Sequence, residues 1–218
     1  MPKYYPVMMN IEGAPALVVG GGAIASRKAE GLLEYGARVT IVAREASPDV
    51  RRLYDEERVQ LHERPFVDAD LNEPVIVFAA TNDRALHEHI KTECDRRRIL
   101  CNVVDVPDLC GFIVPSIIRR GELMITISTD GLCPAYSKFQ RKRMEQCCFP
   151  EGAQAMLHVI AAARNELKGP LGKGLGDEKK FELLRQLVEE GLEDRLALEG
   201  EAAASAYAVN RIHELAAK

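Results

Sequence analysis

The stretch ALVVGGGAIA, residues 16–25, restricts this chain more than any other feature. A short apolar run meets three consecutive glycines and passes at once into a helix-compatible segment. Four contiguous apolar residues suit a strand covered on both faces, as in a parallel sheet. Gly20 suits the tight turn after that strand. Gly22 lacks a Cβ and lets backbone approach a pyrophosphate, and Ala25 takes the third small position, where helix packs close to sheet. N–H groups at the helix start then face the phosphates, helped by the helix dipole. A plain glycine turn is the competing reading; the strand before and the helix after favour a nucleotide. A dinucleotide site usually keeps an acid for the ribose about 20 residues further on. Here the second strand ends Val42-Ala43-Arg44-Glu45. Arg44 could meet a 2′-phosphate, or it could be a surface arginine with Glu45 or backbone groups on the ribose. Spacing does not separate the two.

The rest of the first half repeats the alternation. Apolar runs at 16–19, 38–43, 59–66, 74–81 and 99–104 read as strands, and 26–35 and 84–97 read as helices. Strands alternating with helices require crossover connections, and hence a parallel sheet with helices on both faces. After residue 112 the rhythm changes. An alternating strand covers 123–128, and the pattern is helical from Pro134 onward. Residues 153–167 carry an apolar stripe. The Gly- and Pro-rich segment 168–177 is a linker, and 178–199 and 201–218 are two amphipathic helices. The fold class expected is α/β: a Rossmann-like parallel-sheet domain over 1–113, a connecting segment over 114–150, and a small helical domain over 151–218.

Bulk properties remove several classes of partner. The formal net charge of the 218 residues is −4, which argues against general binding to nucleic acid or to a membrane surface. The N-terminus MPKYYPVMMN has no secretory signal character, and no apolar run nears the roughly 20 residues a membrane helix needs. The six cysteines form no CxxC and no regular framework, so reduced thiols in a cytoplasm are expected. His87 and His89 point to different faces of one helix, and His62, His158 and His213 are isolated; no metal site is expected. Cys147-Cys148 reads simply as two adjacent thiols.

A second informative stretch is CNVVDVPDLCGFIVPSIIRRGELMITISTDG, residues 101–131. Asn102 and Asp105 fall at the carboxyl end of a predicted strand, the rim where open parallel sheets bind ligands. Thr81 and Asn82 end the preceding strand and belong to the same rim. A carboxylate at 105 could take a proton while a hydride leaves for a nicotinamide. It could equally cap a turn before Pro107.

Taken in order, YYPVMMNIEG, ALVVGGGAIASRKAEGLL, FAATND, CNVVDVPDLCGFIVPSII and GELMITISTDG resemble the precorrin-2 dehydrogenase family, which includes the N-terminal half of siroheme synthase and bifunctional dehydrogenase/ferrochelatases. The resemblance covers about residues 4–145. It implies a Rossmann domain, a dimerisation segment at 114–150 and a helical domain, working as a homodimer. It implies NAD-dependent oxidation of precorrin-2 to sirohydrochlorin in siroheme, and hence porphyrin-type, biosynthesis. Asp105 is then the catalytic residue. Gly20, Gly22, Ala23, Ile24, Arg44, Glu45, Thr81, Asn82, Asn102 and Val103 are then the cofactor contacts, and the cofactor is NAD despite Arg44. Ser116, Arg119, Arg120, Ser128 and Lys138 are the expected substrate contacts, with Arg141, Lys142 and Arg143 either part of the same positive field or a solvated face. Arg27-Lys28 belongs to the shared motif and serves solubility or packing.

The chain departs from the family pattern near 128–138. It reads STDGLCPAYSK, with Asp130 for a glycine, Cys133 for a serine, Tyr136-Ser137 for Leu-Ala and Lys138 for an arginine. Metal insertion is therefore an open addition to the dehydrogenase reading. No methyltransferase region follows, so the preceding methylation is expected from another protein. Two alternatives remain: a non-catalytic nucleotide-sensing module acting on a partner, and a generic NAD(P) oxidoreductase, against whose short-chain type stands the lack of a Tyr-x-x-x-Lys pair.

Overall fold

Apolar residues on both faces of the central strands can be buried only if helices cover both sides of the sheet. The computed structural model, which describes residues 3–147 and 152–217, has that arrangement. β1 (Pro15–Val19), β2 (Arg38–Ala43), β3 (Val59–Glu63), β4 (Ile76–Ala79) and β5 (Leu100–Val103) form one parallel sheet in the order β3-β2-β1-β4-β5. The chain runs outward from β1 in one direction and then returns to build β4 on its other side. The strand order reverses between β1 and β4, so a crevice opens at their carboxyl ends.

Alternate residues of the strands feed two cores. Val18, Ile41 and Phe78 pack with Ala25, Ala29 and Leu32 of helix α1 (Ala23–Glu34) and with Val50 and Leu53 of α2 (Pro48–Asp55). Leu17, Val42, Val77 and Val103 pack with Ile90 and Cys94 of α3 (Arg84–Arg97). A fully buried side chain of this type contributes roughly 1.5–3 kcal/mol. Helix α2 is absent from the sequence reading. Its signal is the pair Ser47-Pro48, in which Ser47 Oγ accepts the Val50 N–H and Pro48 occupies the first turn.

The chain divides into two compact units, one of Met1–Val114 with Asp130–Leu132 and one of Pro115–Thr129 with Cys133–Lys218. In the second, β6 (Ser116–Arg120) and β7 (Leu123–Ile127) form an antiparallel hairpin. It is followed by α4 (Pro134–Cys147), α5 (Ala153–Lys168), α6 (Asp177–Glu189), α7 (Leu192–Glu199) and α8 (Glu201–Ala216). Val159 and Ala163 of α5, Leu187 of α6, Leu192 of α7 and Ala208 and Ile212 of α8 make its core. The single helix expected over 178–199 is two. Gly191 adopts φ +82 and breaks it, a conformation with little steric cost for glycine. Residue Cys148 and the side chain of Cys147 lie outside the described residues.

Candidate functional site

The glycine loop is shaped by what surrounds it. Gly20 has φ +131, and a Cβ there would collide with the Ala80 carbonyl. Gly21 is equally confined, because a Cβ would strike the Glu45 carbonyl and lie 2.9 Å from Ala43 Cβ. Its carbonyl accepts the Ser47 N–H at 2.8 Å, while Gly20 N–H donates to Val42 at 2.9 Å. The loop is thus clamped between the ends of β2 and β4. Gly22 differs, since a Cβ there would meet nothing within 4 Å. It precedes α1, which begins at Ala23, earlier than the expected Ser26. No side chain caps this end and its first turn holds no acid, so its N–H groups are open to an anion. Ala25 is fully buried against the sheet.

On the far side of the crevice, β4 is followed by Ala80-Thr81-Asn82 and β5 by a turn. The Val106 N–H closes that turn onto Val103. Asp105 sits in it with φ +60, the left-handed region that Asp and Asn tolerate best among side-chain-bearing residues. Its carboxylate is exposed. Ile24, Thr81, Asn82 and Asp105 line one cavity of about 230 Å³, together with Ala80, Arg84, His87, Val104 and Val106.

The remaining expected contacts fall in different settings. Ala23 is exposed at the helix start. Arg44 and Glu45 are exposed just past β2. Asn102 is buried, and its amide donates to the Phe112 carbonyl at 2.9 Å, which leaves Oδ1 as the open side-chain atom. Val103 is buried in the core, and its carbonyl accepts from the Cys110 thiol and the Val106 N–H. Ser116, Arg119, Arg120, Ser128 and Lys138 belong to the second unit. There Arg119 and Arg120 lie side by side on β6 and are exposed, with Arg119 Nε donating to the Gly121 carbonyl at 3.1 Å. On α4, Lys138 is exposed, whereas Arg141 pairs with Glu145 at 2.7 Å. Asp130 has φ +51.

Three residues matter beyond the roles that sequence reasoning gave them. Gly21 is the most tightly enclosed of the loop glycines, and the run of three glycines, one more than the motif needs, was the signal for it. Lys28 is half-buried, with its ammonium 5.0 Å over the Phe78 ring; burial first, and then Arg27, hold its pKa down. The Phe78 ring in turn meets Phe112 edge-on at 5.4 Å. His87 is buried beneath Thr81. Burial holds its pKa below the ordinary imidazole value, against the opposing pull of Asp83. No pattern in the sequence links positions 81 and 87.

Residues 7–116 match a protein-family model described as "Putative NAD(P)-binding". Siroheme synthase 1 of Serratia proteamaculans (strain 568) is 35% identical over 178 residues, which are 82% of this chain and 37% of that protein. Siroheme synthase of Thioalkalivibrio sulfidiphilus (strain HL-EbGR7) is 40% identical over 142 residues, 65% of this chain and 29% of that one. The chain therefore spans about a third of the length of these curated relatives. Among solved structures, "SirC, precorrin-2 dehydrogenase" superposes with a TM-score of 0.74 at 25% identity, covering 97% of this chain and 100% of that one.

Proposed function

The chain belongs to the precorrin-2 dehydrogenase family, and from that premise we propose that it oxidises precorrin-2 to sirohydrochlorin, a step of siroheme synthesis, with NAD as acceptor. The observation that carries this reading is the cavity that gathers the start of the glycine-loop helix, the Thr81-Asn82 loop and the Asp105 carboxylate.

The residues suit a dinucleotide. The open space over Gly22 and the uncapped N–H groups of α1 fit a pyrophosphate. Bound there, the nicotinamide would supply a hydride acceptor. Gly20, Gly22, Ala23 and Ile24 would hold the phosphates, and Thr81, Asn82, Asn102 Oδ1 and the Val103 backbone would line the nicotinamide side. Asp105 would take one proton from a ring position of the substrate while a hydride leaves for the nicotinamide; the hydride carries two electrons and the second proton, so the substrate loses two electrons and two protons in all. A base so placed contributes about 10²–10⁴ in rate.

For NAD over NADP, the support is local charge. Beyond β2, Arg44 and Glu45 oppose one another in charge. Arg51 is spent on Glu63 at 2.7 Å, while the same Glu63 oxygen accepts the Ala46 N–H at 3.3 Å. Two cations and two carboxylates leave little net field for a 2′-phosphate, and the exposed Glu45 would meet ribose hydroxyls. Arg119, Arg120 and Lys138 are the proposed ligands of substrate carboxylates, with Ser116 and Ser128 as hydroxyl donors. The segment 114–150 is the proposed homodimer contact; Leu132, Tyr136 and Phe139 leave it exposed and apolar. Among the described residues no helix is long and apolar enough to cross a membrane, and the cysteines Cys94, Cys101, Cys110 and Cys133 are free thiols, which suits a reducing cytoplasm.

The test is direct. The protein is mixed with enzymatically made precorrin-2 and either NAD or NADP, and both the reduced nucleotide and the sirohydrochlorin spectrum are followed. Turnover with NAD at a KM well below that for NADP is expected. Nucleotide binding without turnover would overturn the enzyme reading and leave a sensing module.

A further inference from the structure

A backbone N–H can only donate, and this decides the state of a buried histidine at the edge of the crevice. Thr81 N–H donates to His87 Nε2 at 3.3 Å, so that nitrogen carries a lone pair and the ring proton sits on Nδ1. Thr81 Oγ1 lies 3.0 Å from the same nitrogen and accepts the Asp83 N–H at 3.2 Å, so its own proton is free to point at the imidazole. Asp83 closes the circuit. Its carboxylate caps α3 through the Leu86 N–H at 3.0 Å, and its carbonyl accepts the His87 N–H at 3.0 Å. The loop so held is the one whose Ala80 carbonyl confines Gly20. One neutral imidazole therefore fixes the wall that faces the glycine loop.

Resting on the dehydrogenase reading above, we infer that His87 is a positioning residue that holds the Thr81-Asn82 wall of the nucleotide crevice in its binding shape only while its ring is neutral. Protonation would put an N–H against the Thr81 N–H in a buried space; the Thr81 hydroxyl can turn to accept it, but the backbone N–H cannot, so the backbone of the wall would have to move. The charged group acting on this ring is Asp83 at the start of α3; Arg84 and Asp105 line the same cavity. Asp83 favours the protonated ring, while burial, the larger influence, disfavours it. Nucleotide affinity therefore falls as the ring gains its proton in acid.

The experiment measures NAD dissociation constants by equilibrium titration between about pH 8 and about pH 5.5, for the full chain and for His87→Gln and His87→Leu. Glutamine places an acceptor oxygen near the Nε2 position and does not titrate. The expected results are three: wild-type affinity weakens about three- to tenfold toward acid, the size of one lost hydrogen bond; His87→Gln binds like the neutral wild type with a flatter profile; and His87→Leu is weaker by a similar factor throughout. If leucine prevents folding, the glutamine profile decides alone. Coincident profiles for wild type and His87→Gln overturn the inference, as does an absence of NAD binding. Loss of turnover with precorrin-2 while the two binding profiles still differ would count against the proposed reaction alone and would support the role of His87.

Discussion

The Asn102 amide donates to the Phe112 carbonyl at 2.9 Å, across ten residues of chain that include Asp105. This bond, with the Cys110 thiol donating to the Val103 carbonyl at 3.2 Å, folds the segment after β5 back onto its own strand. The catalytic candidate is thereby held on a loop anchored at both ends. Removing the donor leaves a half-buried carbonyl without a partner, which costs about 1–3 kcal/mol. Asn102→Ala is expected to lower stability by that amount in urea unfolding, and Asn102→Asp by more, since a carboxylate would face a carbonyl. Unchanged midpoints would show that the loop holds its shape without this bond.

Asp105→Asn tests the base while preserving the backbone, because asparagine tolerates φ +60 as aspartate does. The variant should bind NAD as the wild type does and lose about 10²–10⁴ in kcat. Asp105→Ala should show the same catalytic loss with some added instability from strain. Full turnover in either variant would reduce Asp105 to a turn residue.

The glycine loop separates folding from binding. Gly21→Ala drives a methyl into the Glu45 carbonyl and should unfold the β1–β2 region or leave the protein insoluble. Gly22→Ala meets no protein atom and has an ordinary φ of −87, so the melting temperature should hardly move. Its methyl would instead stand in the space assigned to the pyrophosphate and should weaken NAD binding about tenfold or more. Calorimetry on the two variants checks both halves; unimpaired NAD affinity in Gly22→Ala would move the phosphates elsewhere.

A pH-dependent contribution to stability resides at Asp70. Its carboxylate accepts two hydrogen bonds from Arg64, at 2.5 and 2.9 Å, and one from the Val67 N–H at 2.9 Å. The Arg64 hydrogen bonds hold its pKa below the ordinary carboxyl value. A depressed folded-state pKa means the unfolded chain binds the proton more tightly. The contribution is therefore complete above about pH 4 and is lost as acid protonates the folded carboxylate. Asp70→Asn should lower the melting temperature at neutral pH, and its difference from wild type should shrink steadily below about pH 4. A difference that stays constant with pH would place the effect in packing rather than charge.

Much of this was legible in residue order. The apolar runs at 16–19 and 38–43 became β1 and β2, since contiguous Val, Ile and Leu suit only a strand buried on both faces. The rim position of Thr81 and Asp105 followed from the strands they end. What was not legible involved partners distant in sequence or weak local signals. The helical periodicity of 178–199 passed smoothly through Gly191, and only the fold showed the break there. The hydrogen bond from the Asn102 amide nitrogen to the Phe112 carbonyl is one such distant contact, since no spacing rule connects the two.

By itself the sequence determined the layered α/β class and the glycine-loop site, because apolar period and glycine placement act within a few residues and need no distant partner. Tertiary structure decided which glycine is confined, which face of the crevice Asp105 occupies, and that His87 supports Thr81. Those depend on where the ends of β2, β4 and β5 come to rest beside β1, and strand pairing brings together residues whose separation along the chain carries no record of their contact.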